Sequence, residues 1–214
     1  MNFYGMPFGM WMLFQNSFRH SLCTVLGYSR ADAEKITNRA KKKYRTITRH
    51  LPPFEKNDRF VMNIISCAML GAFVLSMPDR PDAEKLGDYY EAAMMTPAMK
   101  LFCRIKGKEK FSEADLAAMK KTAAQKAADR NPYSWNMEFL PYEDGNGYEA
   151  RFTKCGICRL FREIGLFGLV PAMCRLDYAM SEAGGTSRFV RRYTIAHGDP
   201  YCDCGYLKKE GNPS

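Results

Sequence analysis

Apolar residues recur three and four positions apart through the first part of the chain, the spacing of one face of an α-helix. Ser29, with Asp32 three positions later, is a typical N-cap at the start of one such segment, and Pro52 ends it. The apolar segment from Val61 to Met77 predicts a helix buried on all sides. Residues 1–132 are therefore predicted to be mainly helical, with helices over about residues 29–51, 57–77, 81–104 and 112–131.

The pattern changes to alternation of apolar and polar residues after residue 133. Trp135, Met137 and Phe139 alternate, residues 143–147 have the composition of a turn, and alternation resumes at Tyr148, which together predict a β-hairpin. Further elements follow in the order helix, helix, strand, turn, strand; they are predicted at residues 156–165, 171–184, 187–196, 197–200 and 201–207.

This order of elements predicts an α+β fold. Helices from residues 1–132 would pack with an antiparallel sheet from residues 133–209, whose layout is hairpin–helix–helix–hairpin. Because the helix within Val61–Met77 needs apolar partners on every side, we expect no separate folding unit in the first half. The prediction is a single domain over residues 1–214.

Composition and charge narrow the class of protein and its partners. The 214 residues are 46% hydrophobic and 26% charged, as in globular proteins. The net charge of +9 is spread along the chain, which favours a small anionic substrate over nucleic acid. No basic residue precedes the apolar segment Met1–Phe14, and Val61–Met77 is short for a membrane span, so we expect a cytoplasmic protein with no membrane partner. Met1–Phe14 is interpreted as either a homo-oligomer contact or a covered helix.

Cysteines are concentrated near the C-terminal end of the chain. Five of the eight fall there, at positions 155, 158, 174, 202 and 204. Cys174 and Asp177 are three residues apart on a predicted helix and would share a face. Cys202 and Cys204 would share one face of the last strand, with Asp203 on the other.

Three interpretations of these cysteines remain open. They can be small apolar side chains between sheet and helices, since cysteine is often buried. They can be zinc ligands, with Cys155, Cys158, Cys202 and Cys204 as the set, although C-x-C is an unusual second pair. They can also include an active-site thiol with acid and base partners.

Two blocks of residues in the C-terminal half have a distinctive pattern: Phe152–Cys155, Cys158–Gly165 and Cys174–Asp177 in one block, and Arg192–Thr194, Gly198 and Cys202–Asp203 in the other. In these blocks the chain resembles a known family, the L-2-amino-thiazoline-4-carboxylic acid hydrolases. The layout of the same region is also similar to that of the 4-vinyl-reductase and haem-NO-binding superfamily.

The family resemblance implies a hydrolase that acts on a cyclic C–N bond of a small carboxylated heterocycle, as in opening of 2-amino-thiazoline-4-carboxylate to N-carbamoyl-cysteine. No cofactor is expected. The alternative is a non-catalytic, sensor-type domain that binds a small ligand or zinc at a cysteine-lined site.

Roles follow for the residues that carry the resemblance. Cys174 is the first candidate nucleophile and Cys202 the second, with Asp177 as base or orienting group and Asp203 as acid. Arg192 would bind the substrate carboxylate, because a guanidinium binds carboxylates bidentately. The remaining candidate substrate contacts are Thr194, His197 and Cys155.

Overall fold

The computed structural model of the chain describes residues 7–55 and 58–209, and it has the expected α+β class. Within those ranges, no helix combines the length and apolar character needed to cross a bilayer. The helices are α1 Pro7–Thr24, α2 Arg30–His50, α3 Val61–Val74, α4 Ala83–Met94, α5 Pro97–Glu109, α6 Glu113–Lys126, α7 Gly156–Glu163, α8 Val170–Cys174 and α9 Leu176–Gly184. The strands are β1 Asn136–Pro141, β2 Gly147–Lys154, β3 Ser187–Val190 and β4 Cys202–Lys208.

The chain forms two compact units, and each takes segments from both halves of the sequence. The first unit extends to Met94 and includes residues 131–134 and 156–174. The second comprises residues 95–130, 135–155 and the chain from Arg175 onwards. The expected division near residue 132 therefore does not coincide with the units, and the single domain over residues 1–214 stays a prediction.

The first unit is built around α3, which is buried on all sides from Ile64 onwards, as its composition predicts, while Met62 and Asn63 in its first turn are exposed. Its packing partners include α2 and α7, and a side chain at Gly71 would meet Ile164, which follows α7. Ser29 is the N-cap of α2 and accepts a hydrogen bond from the Asp32 backbone N–H, as expected. Because α7 comes from late in the sequence, the first half does not form this unit alone.

The second unit contains an antiparallel sheet in the order β1-β2-β4-β3. The predicted hairpin is confirmed as β1 and β2, with Phe139 opposite Ala150 and Pro141 opposite Tyr148. Helix α6 packs on β1, α9 packs on β3, and α5 packs on α9. One face of the sheet is buried, as the alternating burial along β2 and β4 shows, and α9 is held beside the edge strand β3.

Three predicted elements need correction. The strand predicted over residues 187–196 ends at Val190, and a 3₁₀ turn occupies Ile195–His197. The helix predicted over 171–184 is divided at Arg175 into α8 and α9. The helix predicted over 81–104 is two helices, because Thr96 caps a new helix that has Pro97 in its first turn.

Helices α5 and α9 approach closely where each carries a glycine. A side chain at Gly107 would overlap the backbone carbonyl of Gly184. Thr186 Oγ1 also donates a hydrogen bond of 2.8 Å to the carbonyl of Gly107. Because Gly107 has no side chain, α9 can lie this close to α5.

Candidate active site

The covered face of the sheet carries the thiols of β4. Cys202 and Cys204 lie opposite Phe152 and Ala150 of β2, so they share one face, as predicted. Both cysteines are buried. Tyr206 continues this face and lies opposite Tyr148. The sheet thus presents two thiols and a phenol in one row.

An ion pair lies beside this row. Arg191, the first residue after β3, donates a hydrogen bond of 2.8 Å from Nη1 to Asp177 in the first turn of α9. The same Nη1 is 4.0 Å from Cys204 Sγ. The rings of Tyr178 and Phe189 lie 5.4 and 5.1 Å from the guanidinium carbon, within cation–π range. Arg191 is therefore held by a carboxylate and two aromatic rings.

Asp177 combines a raised pKa with an accessible side chain. Desolvation by the surrounding protein raises the pKa of the carboxyl above its usual range, while Arg191 opposes that rise. Its side chain nevertheless keeps 43% of its area exposed, against 6% for the side chain of Arg191. Asp177 is thus a carboxylate that a small molecule can reach.

The two thiols of β4 are stabilised in their protonated form. Burial raises the pKa of Cys202 to about 11, although its Sγ accepts a hydrogen bond of 3.3 Å from the Ile195 backbone N–H. Burial likewise raises the pKa of Cys204 far above its ordinary value, and the charge of Asp177 raises it further. Cys155 lies close enough to Cys202 that its charge would raise the pKa of Cys202 as well. At neutral pH Cys202 is therefore a thiol and not a thiolate.

Asp203 fixes the segment that connects β3 to β4. Its carboxylate accepts hydrogen bonds from the backbone N–H groups of Arg192, at 3.0 and 3.1 Å, and of Tyr193, at 2.6 Å. A carboxylate that accepts from two backbone N–H groups serves as an anchor for the loop. The acid role expected for Asp203 stays a prediction.

Thr194 and Asp199 hold the next turn of the same segment. Thr194 Oγ1 accepts a hydrogen bond from the His197 backbone N–H, and Asp199 accepts one from the Thr194 backbone N–H. The Thr194 side chain is buried in this cap, whereas the side chain of His197 is exposed. The predicted substrate contacts Thr194 and His197 are thus placed in a capped turn, Thr194 as its N-cap.

The arginine beside the two thiols of β4 is Arg191, whereas the sequence singles out its neighbour Arg192 as the group that binds the substrate carboxylate, which stays a prediction. Arg192 is exposed, and its guanidinium carbon lies 5.4 Å from the ring of Tyr193. The alternation of β3 contains a usable signal, because Ser187 and Phe189 face the core and Arg191 is the next residue in that series. An arginine in a core-facing position indicates an acidic partner, which is Asp177.

Two of the candidate cysteines belong to the first unit. Cys174 ends α8 and is half-buried, and Cys158 is buried in α7. The remaining candidates, Asp177 and Cys155 among them, belong to the second unit. The helical spacing of Cys174 and Asp177 spans the division between α8 and α9, so the shared face predicted for them stays a prediction.

Across residues 7–55 and 58–209, no three histidine, cysteine, aspartate or glutamate side chains are grouped so that they could hold a metal ion. The alternative set Cys155, Cys158, Cys202 and Cys204 is therefore not such a group.

The protein is therefore of the α+β class, and its second unit holds an accessible carboxylate, Asp177, beside the buried Arg191 and the two thiols of β4. The sequence model of the L-2-amino-thiazoline-4-carboxylic acid hydrolases matches residues 62–206, more than half of the chain. The chain belongs to that family, whose name denotes a hydrolase. Searches of curated proteins and of solved structures find no match.

Proposed function

We propose that this protein is a hydrolase that opens the ring of a small carboxylated heterocycle, with 2-amino-thiazoline-4-carboxylate as its first candidate substrate. Family membership supports the reaction class. The observation that carries the proposal is the Asp177–Arg191 pair, in which an accessible carboxylate of raised pKa is oriented by a buried guanidinium. The substrate is a small anion, and the expected location is the cytoplasm.

Asp177 acts as the general base in this proposal. A carboxylate of raised pKa removes a proton from water more readily than an ordinary one. Arg191 fixes the direction of the carboxylate through the 2.8 Å hydrogen bond, so the water bound to the other side of Asp177 has a defined position. The activated water attacks C2 of the ring, which is an electrophilic amidine carbon.

The product defines which bond breaks. Carbon C2 carries the ring sulfur, the ring nitrogen and the amino group. Addition of water followed by loss of the sulfur gives N-carbamoyl-cysteine with both C–N bonds intact. The ring bond that breaks is therefore C2–S, which corrects the C–N bond expected from the sequence. Asp177 passes the proton that it took from water to the leaving sulfur, which departs as a thiol. The second water proton ends on the former ring nitrogen, and the water oxygen becomes the carbamoyl oxygen.

Water is favoured over Cys202 as the attacking group. A thiol with a pKa of about 11 supplies little thiolate at neutral pH, and nucleophilic attack needs the thiolate. Cys202 and Cys204 then serve as neutral, polarisable walls of the site. Cys174 remains the candidate if the reaction proceeds through a covalent intermediate.

Arg192 is proposed to bind the substrate carboxylate. It is exposed, and its backbone is fixed by Asp203, so its side chain begins from a rigid point. Arg191 is already engaged by Asp177 and is thereby reserved for orientation. The two neighbouring arginines would thus divide substrate binding and base positioning between them.

The test uses purified protein with 2-amino-thiazoline-4-carboxylate, followed by mass spectrometry of N-carbamoyl-cysteine. We expect turnover by the wild type, loss of turnover in Asp177→Asn, and turnover retained in Cys202→Ala and Cys174→Ala. An adduct of protein plus one whole substrate on Cys174 or Cys202 would replace the water route with a thiol route. Saturable binding of substrate without product would support the non-catalytic ligand-binding alternative.

A further inference from the structure

A cavity in the first unit lies between α1 and α2, outside the site described above. Its volume is about 220 Å³. Its aromatic lining consists of Phe8 and Trp11 from α1 and Tyr44 from α2. Trp11 and Tyr44 are each 2% exposed, and their ring centroids are 5.6 Å apart. Trp11 also stacks on Phe73 of α3 at 5.7 Å. The floor of the cavity is therefore apolar, aromatic and firmly packed.

Three cations line the same cavity. Lys41, Arg45 and Arg49 are four residues apart on α2 and form one row along its surface. No acidic side chain lines the cavity within the described part of the chain. The ion pair of Arg19 with Glu34, which joins α1 to α2, does not involve these three cations. The row thus gives an apolar cavity a positively charged rim.

We propose that the α1–α2 cavity binds an amphipathic anion, namely a small molecule with an apolar body and a terminal carboxylate. The aromatic floor accepts the apolar body, and the cation row binds the carboxylate. The volume is below the roughly 300 Å³ at which pockets for drug-sized ligands begin, so a short chain or a single ring fits. This ligand differs from the proposed substrate, which has no extended apolar part.

Charge also argues against a second copy of the chain as occupant. A two-fold contact through this surface would bring Lys41, Arg45 and Arg49 of one copy against the same residues of the other. Like charges placed opposite one another oppose association. Phe8, Met12 and Leu13 of α1 are exposed large apolar side chains, so a bilayer surface is the competing occupant for the test. The concave shape with a buried floor favours a discrete molecule.

The test is a fluorescence titration of the full chain with octanoate, since Trp11 lines the cavity. Octanol and octylammonium provide the same tail without the negative charge. We expect a saturable change with octanoate, at least tenfold weaker binding of both analogues, and weaker binding as NaCl is raised. Binding of octanol as tight as that of octanoate overturns the proposal.

Variants identify the site and separate its sources of affinity. Arg45→Gln is expected to weaken octanoate binding about fivefold, the upper range for an exposed charge contact. The joint variant Lys41→Gln, Arg45→Gln, Arg49→Gln is expected to abolish it. Lys42→Gln is the matched control, because Lys42 is an exposed neighbour outside the cavity lining. An equal loss in Lys42→Gln overturns the proposal, as does sedimentation with phosphatidylglycerol vesicles when octanoate leaves the fluorescence unchanged.

Discussion

Arg191 donates a 2.8 Å hydrogen bond to Asp177, yet the two partners differ greatly in exposure, at 6% and 43% of their side chains. The guanidinium is enclosed by aromatic rings, whereas the carboxylate remains reachable. An ion pair with this asymmetry orients one group for contact with a ligand. We therefore regard Asp177 as the reacting group and Arg191 as its positioning residue.

Replacement of Asp177 by Asn is predicted to lower kcat/KM by at least about 100-fold, the usual contribution of a general base. Because the base works only when deprotonated, the wild-type rate should rise with pH through the pKa of Asp177. Desolvation raises that pKa, so the acid limb should lie above the range of an ordinary carboxyl group. A pH–rate profile of kcat/KM measures this.

Glu182→Gln is the control for this variant, because Glu182 is an exposed carboxylate on the same helix and pairs with Lys209. It should leave the profile unchanged. An Asp177→Asn protein that is folded and fully active would remove Asp177 from the mechanism.

Arg191→Gln and Arg192→Gln form a matched pair with different expected effects. Arg191→Gln should lower the free energy of unfolding by about 2 kcal/mol, since a hydrogen bond to a charged partner is lost. It should also lower kcat. Arg192→Gln should leave stability nearly unchanged and raise KM, because its side chain is exposed and proposed to bind substrate. Denaturant unfolding and steady-state kinetics measure both; the reverse assignment of effects would contradict the division of roles.

Asp203→Ala is predicted to release the segment between β3 and β4. The backbone N–H groups of Arg192 and Tyr193 would lose their acceptor, which should cost about 1–3 kcal/mol and accelerate hydrogen exchange at both amides. Asp203→Asn keeps one acceptor oxygen and should restore part of the protection. Unchanged exchange at Arg192 and Tyr193 in Asp203→Ala would show that the anchor lies elsewhere.

The raised pKa of Cys202 predicts that the protein loses stability in alkaline solution. Its pKa rises from the ordinary value of 9.0 to about 11 on folding, so between these values the folded state retains a proton that the unfolded state has released. Stability therefore falls as pH rises through this window, by about 2–3 kcal/mol at about 1.4 kcal/mol per unit. The difference between wild type and Cys202→Ala isolates this contribution, and parallel pH curves for the two proteins would argue against it.

Gly107→Ala is predicted to displace α9, because the new methyl group would overlap the carbonyl of Gly184. The free energy of unfolding should fall by about 1–3 kcal/mol, the cost of overpacking, and activity should fall because α9 carries Asp177. Gly184→Ala is the control from the facing helix, since its nearest neighbour would be 3.5 Å away. An equal loss of free energy of unfolding in the two variants would show that the contact between Gly107 and Gly184 does not limit the packing of α9 on α5.

Local patterns were sufficient for much of the fold. The Ser29 cap, the buried helix α3 and the hairpin of β1 and β2 each depend on residues near one another in sequence, and all were predicted. The end of β3 was missed, because the alternation continues past Val190 while the backbone N–H of Arg192 donates to the side chain of Asp203 in β4. Long-range hydrogen bonds of this kind leave no local pattern.

The candidate site was likewise predicted only where it depends on local sequence patterns. The residue types were identified, but the pairing of Asp177 with Arg191 was not, because that contact joins two different elements. The thiols of β4 were correctly placed on one face by alternation. Their protonated state depends on burial beneath helices, which spacing along one strand does not reveal.

The anchor at Asp203 has a consequence for conformational entropy. Residues 191–201 contain a backbone that is fixed at one end by Asp203 and at the other by the Thr194–Asp199 turn. Ordering a free segment of this kind costs roughly 1–2 kcal/mol per residue. Here the segment becomes ordered when the protein folds, so a ligand that binds Arg192 does not have to supply the free energy of ordering it. Affinity for a small anion can then depend on a few contacts, with the loop preorganised before the ligand arrives.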